Sequence, residues 1–190
     1  MVATITAISP SSWTSIGGIV ALIAAPRLAA LARGTKCSGD NQRMRRHRSK
    51  FSAAVLVILR ERDRICVIRR DATGFLDGHY TLPGGVVEEG ETLREAACRE
   101  AREEAGVELT SEGLRHVHVL HSRNDGESWF GHFFIAEGWS GTPRIAEAHK
   151  HSDMKWVPID RLPSPMVPYV GTALQAISLG QPYSEFGWNQ

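Results

Sequence analysis

From residue 51 onward, apolar and polar positions sort the chain into a series of short elements. Residues 51–59 (FSAAVLVIL) form a nearly continuous apolar run rich in β-branched side chains, which predicts a buried strand. Polar residues 60–64 give way to a second apolar stretch at 65–68, and the pair predicts a hairpin. Residues 74–80 read as a loop with Gly and Asp at its turns. Leu82-Pro83-Gly84-Gly85 follows, and this composition predicts a tight, exposed connection in which φ > 0 frees backbone carbonyls. The strongest helical pattern covers 92–105: it is rich in Ala and Glu, lacks Gly and Pro, and has Gly106 just past its end. Thr92 and Glu95 have the spacing of a capping box. Leu93, Ala97, Ala101 and Ala105 recur at four-residue steps, so mostly small side chains would let the helix sit close to a sheet.

After this helix, residues 116–122 and 129–136 read as paired strands around the turn Asn124-Asp125-Gly126. His116 and His118 alternate with Val117 and Val119, which places both histidines on the outer face of a strand. Residues 154–157 predict another strand and 169–178 a last helix, approached through Pro163, Pro165 and Pro168. Strands on both sides of a central helix, followed by a final helix, predict an α/β fold: an α/β/α sandwich around a central mixed sheet. No internal repeat interrupts this series, and residues 51–190 are assigned to one domain.

The first fifty residues depart from that pattern. The apolar stretch 16–32 is broken by Pro26 and Arg27 and falls short of the about 20 residues a membrane-spanning helix needs. No Lys or Arg precedes Arg27, which argues against a secretory leader. Residues 33–50 are polar and basic, and the run 43–50 reads as a solvated arm. Residues 1–50 are therefore expected to be a poorly structured extension. A third reading, beside leader and solvated arm, starts the natural chain at Met44, just before the globular pattern begins, and leaves 1–43 outside it.

Composition narrows the classes further. The chain has 190 residues, 42% hydrophobic and 23% charged, enough for a soluble domain with a sizeable core. A formal net charge of +1 gives no global attraction to nucleic acid or membrane. Three cysteines without a CxxC argue against a zinc site or a disulfide framework, and point to a reducing, cytoplasmic setting.

The chemistry is concentrated in residues 84–107, GGVVEEGETLREAACREAREEAGV. Glu100, Glu103 and Glu104 stand at i, i+3 and i, i+4 spacing and project from one helical face. Like charges so placed cost stability unless a cation lies between them. Carboxylate oxygens favour a hard ion such as Mg²⁺ or Mn²⁺, whose coordination shell is then completed by water and phosphate oxygens. Arg99 and Glu91 are spaced to pair and clamp the preceding loop to the helix.

This segment resembles the Nudix box: a glycine (Gly85), five residues, a glutamate (Glu91), seven residues, then Arg99-Glu100-Ala101-Arg102-Glu103-Glu104-Ala105-Gly106-Val107. Every polar and glycine position matches, and only Ala101 departs, being smaller than the usual aliphatic residue. The resemblance to the Nudix hydrolase family extends over about residues 51–177. It implies metal-dependent hydrolysis of a nucleoside diphosphate linked to another moiety. It also implies Glu103 and Glu104 as main metal ligands, the Gly84 carbonyl as a further oxygen, and Glu100 as either another ligand or the general base. Arg99 resembles the residue that orients a catalytic glutamate, and Glu147 is the candidate for an acid from a later loop. Substrate base and sugar are expected on the sheet face, with Arg69, Arg70, Phe75, His121, Trp129 and Phe133 as candidate contacts.

The tract from Glu147 to Trp156, followed by the Pro-rich approach to the last helix, resembles nucleotide-pool-cleaning members. That implies a nucleoside triphosphate, natural or modified, cleaved to monophosphate and pyrophosphate. ADP-ribose or another nucleotide sugar is the alternative substrate. A non-catalytic nucleotide sensor is the alternative role, against which the presence of all three box glutamates speaks. The partners expected are a small nucleotide and, in a homodimer, a second copy of the chain; nucleic acid and membrane are not expected.

Overall fold

The computed structural model describes residues 50–124 and 126–188. The extension 1–49, with its apolar stretch and nearly all of its basic arm, and Asp125 of the expected turn lie outside the described residues. The described chain runs β1 (Ser52–Glu61), β2 (Arg64–Arg70), β3 (Tyr80–Thr81), β4 (Gly84–Val86), α1 (Leu93–Ala105), β5 (Leu114–Asn124), β6 (Glu127–Ala136), β7 (His151–Pro158), α2 (Pro168–Ser178) and β8 (Tyr183–Phe186).

β1 is the axis of the sheet. One edge pairs in parallel with β6, from Ser52↔Trp129 to Leu59↔Ala136. β6 returns antiparallel along β5, and β5 takes β8 in parallel on its outer edge. The other edge of β1 is shared. Its first half pairs with β4, while its end turns into the hairpin with β2. β2 then carries β7 on one side and β3 on the other, both antiparallel. The sheet is therefore mixed, and it forks where β4 and β2 part from β1.

Burial on two faces explains why β1 reads as continuous rather than alternating. Val55, Val57 and Leu59 face a cluster that includes Ala96, Ala97, Ala101 and Ala105 of α1. Leu56 and Ile58 face the opposite cluster, with Val170, Ala173 and Leu174 of α2. The alanine face of α1 is wholly buried, so the small side chains do bring the helix against the sheet. α1 starts with a full capping box between Thr92 and Glu95 and ends at Gly106, whose φ of 66° turns the chain so that the Val107 N–H bonds to the Ala101 carbonyl. The helix is thus fixed at both ends, which matters because its acidic residues carry the chemistry.

Two local expectations are corrected. Residues 82–85 are not a tight exposed turn: Leu82 is buried, and Gly84 and Gly85 belong to strand β4. The histidines at 116 and 118 do not share an outer face. A bulge between them shifts the register, leaving His116 exposed beside His132 and burying His118 beneath β8. His118 bonds there to the Gln181 carbonyl and the Ser184 hydroxyl at 2.9 and 2.8 Å. Strands β3 and β8 were not expected from the sequence pattern, being only two and four residues long.

Candidate active site

The two glycines of β4 are required by close approach. A side chain at Gly84 would collide with the backbone of β1, its Cβ standing 2.9 Å from the Leu56 Cα. A Cβ at Gly85 would stand 2.8 Å from the Glu100 Cδ. β4 therefore lies between β1 and the acidic face of α1 with room for neither methyl group. From this position the Gly84 N–H donates to Glu104 Oε2 at 2.8 Å.

Arg99 joins the loop before α1 to the helix. Its guanidinium donates to both oxygens of Glu91, at 2.7 and 3.1 Å, and to the Val86 carbonyl at 3.1 Å. It also donates to Glu100 at 2.7 Å and Glu103 at 3.2 Å. Glu91 in turn accepts the Glu88 N–H at 2.7 Å. The hydrogen bond from Arg99, with that from Glu88, holds the Glu91 carboxyl below its ordinary range. Glu100 is buried, and burial pushes its carboxyl up despite the opposing pull of Arg99. Glu103, with 41% of its side chain exposed, leans toward Arg99 at the rim.

Glu104 is only 7% exposed. Burial pushes its carboxyl up to about 8, helped by the charges of Glu100 and Glu147 and opposed by the Gly84 N–H. The loop after β6 is tied to the end of α1 by Ala146 N–H to the Glu104 carbonyl at 3.1 Å and Arg144 N–H to the Ala105 carbonyl at 2.9 Å. The Lys150 and His151 N–H groups both bond to the Glu147 carbonyl. This turn brings one donor atom each from Glu104, Glu147 and His151 within 4.8 Å of one another. His151 Nε2 is 3.5 Å from Glu104 Oε1. The contact is not an ion pair at neutral pH, because burial pushes His151 down to about 4 while Glu104 is pushed up. A buried carboxyl crowded by two others is a donor set that fits a divalent cation.

Of the residues expected to hold metal, the structure brings Glu104 together with Glu147. Glu100 and Glu103 are engaged with Arg99, and Gly84 offers its N–H to Glu104. His151 was missed, although its place four residues after Glu147, at the start of an apolar strand, was visible.

A cavity of about 320 Å³ opens on the α2 side of β4 and β1. Trp129, Tyr169, Phe75 and Arg70 line it together with the backbone of Gly84 and Gly85. Trp129 meets Tyr169 edge-to-face with centroids 5.0 Å apart. Arg70 is spent on the loop after β2: it bonds to the Phe75 carbonyl at 2.7 Å and lies 5.7 Å from the Phe75 ring centroid. That loop holds Ala72 and Leu76 at positive φ, 52° and 48°, and Asp77 ties it down through Thr73 and Gly74. Strained backbone of this kind persists where the surroundings over-determine it.

Three expected substrate contacts lie elsewhere. Phe133 is fully buried in the core, edge-on to His118, so it has no surface to offer a ligand. His121 stacks on Phe130 at 4.3 Å, and Phe130 follows Trp129 on the strand and so points to the opposite face. Arg69 turns to the Gly78 carbonyl at 3.0 Å and does not line the cavity. Tyr169 and Glu127, which do line it, were missed. Tyr169 had a signal in the proline-led start of α2.

A mixed sheet between two helices, with glutamates of the first helix set against a glycine strand, defines an α/β/α protein with a buried acidic site. Within that class the family is settled by comparison. The sequence model of the NUDIX domain matches residues 49–176, and the chain belongs to that family. The 8-oxo-dGDP phosphatase NUDT18 of Homo sapiens is 34% identical over 115 residues, covering 58% of this chain and 33% of that protein. The chain thus spans about a third of that relative's length. The 8-oxo-dGTP diphosphatase of Escherichia coli (strain K12) is 31% identical over 94 residues, covering 50% of this chain and 71% of that protein. Among solved structures, the MutT NUDIX hydrolase from Burkholderia pseudomallei superposes with a TM-score of 0.62 at 29% identity, covering 67% of this chain and 98% of that one.

Proposed function

We propose that this protein hydrolyses the pyrophosphate bond of a nucleoside triphosphate, oxidised or otherwise modified purines included, to a monophosphate and pyrophosphate. The carrying observation is the position of β4. Its glycine backbone forms a wall of the aromatic cavity and, through Gly84 and Gly85, also touches Glu104 and Glu100. A base stacked against Trp129 and Tyr169 therefore leaves its phosphate chain to run over the glycines toward the carboxylates. Two of the relatives bear names for enzymes acting on 8-oxo-guanine nucleotides, which supports this substrate class.

A divalent cation, Mg²⁺ or Mn²⁺, held by Glu104 and Glu147 supplies neutralisation of phosphate charge and a more acidic water. The chain's own groups do the rest. Glu100 accepts the proton of the attacking water, a task suited to a carboxyl raised by burial. Arg99 fixes the Glu100 rotamer and holds the loop over it. Glu104 is held in place by the Gly84 N–H.

The test is release of phosphate or pyrophosphate from a panel of natural and 8-oxo nucleoside triphosphates and diphosphates, with ADP-ribose included. Wild type and Glu104→Gln are assayed with Mg²⁺, with Mn²⁺ and with EDTA. Metal-dependent pyrophosphate release that collapses in the variant is expected. Preferential turnover of ADP-ribose would replace the substrate, and folded protein that turns over nothing would overturn hydrolysis.

A further inference from the structure

His151 is a buried polar side chain beside Glu104 that this chemistry does not use. It is 3% exposed, its Nδ1 has no hydrogen-bond partner, and its Nε2 faces Glu104 Oε1 at 3.5 Å. A buried imidazole nitrogen without a partner is costly, and such groups are nearly always satisfied in folded proteins. The backbone explains how the ring comes to be there. His151 is the first residue of β7, and its N–H closes the turn that begins at Glu147. The turn therefore delivers Glu147 and His151 to Glu104 as a unit.

The spacing suits a shared ion. Two donors bound to one ion at about 2.1 Å stand about 3 Å apart in cis and about 4.2 Å apart in trans. The 3.5 Å approach of His151 to Glu104 is about half an ångström beyond the cis value, and all three donors lie within 4.8 Å of one another, near the trans span. The set is two carboxylates and one imidazole rather than oxygen alone. Mg²⁺ takes oxygen ligands and keeps much of its water, whereas imidazole binds first-row transition ions well.

We propose that His151 is a nitrogen ligand, completing a Glu104–Glu147–His151 site that takes a first-row transition ion, Mn²⁺ among them, in preference to Mg²⁺. This deepens the proposed function, resting on its cation site at Glu104, and concerns only which ion is held and by which atoms. Nε2, the nitrogen that faces Glu104, is the ligand atom, and Nδ1 carries the ring N–H.

The experiment reads metal binding and not turnover. The full chain is titrated with Mn²⁺ alone while the loss of the free-ion paramagnetic resonance signal is followed, and Mg²⁺ is then added as competitor. Pulsed resonance on the bound Mn²⁺ of wild type looks for the ¹⁴N coupling of a coordinated imidazole, a readout that needs no variant. Expected are that coupling, Mg²⁺ displacing Mn²⁺ only at large excess, and, in His151→Gln, loss of the coupling with Mn²⁺ binding weakened at least about tenfold, the lower end of what even an outer-shell partner contributes. Mg²⁺ binding changes far less in that variant. Bound Mn²⁺ without imidazole coupling overturns the nitrogen ligand while leaving the hydrolase reading intact. Mn²⁺ that fails to bind wild type, or binds Glu104→Gln equally well, overturns the cation site beneath both.

Discussion

The pairing of a raised carboxyl with a lowered imidazole makes stability depend on pH in a way worked from two residues. Glu104 is pushed from 4.5 up to about 8 in the folded protein. The folded state thus holds a proton that the unfolded chain has released, and the stability this adds is lost as pH rises through 8. His151 is pushed from 6.5 down to about 4, so the unfolded chain binds the extra proton there and stability rises with pH from 4 to 6.5. Between pH 4.5 and 6.5 the two slopes oppose and cancel. Between 6.5 and 8 only Glu104 remains, and 1.5 units at about 1.4 kcal/mol per unit gives a loss of about 2 kcal/mol. Urea unfolding in EDTA at fixed ionic strength, at half-unit steps from pH 5.5 to 8.5, measures it for wild type and Glu104→Gln. Between pH 6.5 and 8 wild type should lose about 2 kcal/mol relative to the variant. Saturating Mn²⁺ should reverse the trend, since the ion binds the anionic carboxylate and gains affinity as the proton leaves. Curves for wild type and variant that run parallel from pH 6.5 to 8.5 in EDTA would refute the reasoning.

Gly85→Ala places a methyl carbon 2.8 Å from the Glu100 Cδ and should cost about 1–3 kcal/mol of unfolding free energy in urea titration while lowering kcat about a hundredfold through displacement of that carboxylate. Arg99→Lys keeps the charge but loses the fork that grips Glu91, Glu100 and the Val86 carbonyl; kcat should fall about a hundredfold, with residues 87–91 becoming the first site of limited proteolysis. Trp129→Ala removes a stacking face worth about 1–3 kcal/mol, so steady-state kinetics should show KM raised with kcat largely kept, whereas Phe133→Ala should lower the unfolding free energy by about 3–5 kcal/mol without a selective effect on KM.

The parts legible in the sequence are those whose signal is local. β1 announced itself because both of its faces are buried, and α1 because its cap, alanine face and glycine stop all lie within fifteen residues of one another. The Arg99–Glu91 clamp was readable for the same reason. Illegible features depend on what arrives from a distance. Nothing in Gly84-Gly85 says that β1 passes within contact on one side and Glu100 on the other, so the glycines looked like a turn. The bulge in β5 breaks the alternation that would have put His116 and His118 together. Phe133 and Trp129 sit four apart on one face of β6, yet one lies in the core and the other at the cavity mouth, a distinction set by where α2 begins, with Tyr169 in its first turn. His151 reads as a strand residue, and only the turn from Glu147 aims it at Glu104.

The forked sheet connects these observations to the proposed chemistry. If β4 continued as a full-length partner of β1, its backbone would be consumed on both edges and its residues would carry side chains. As a three-residue strand of near-bare backbone it separates two compartments by a single peptide layer. On one side lie Trp129 and Tyr169, aromatic walls that meet edge-to-face. On the other lie Glu104 and Glu100, buried carboxyls on which burial raises the hold on a proton. A planar base and a polyanionic chain need opposite environments within a few bonds of each other. Glycines that no methyl group can replace are what allow those environments to stand that close.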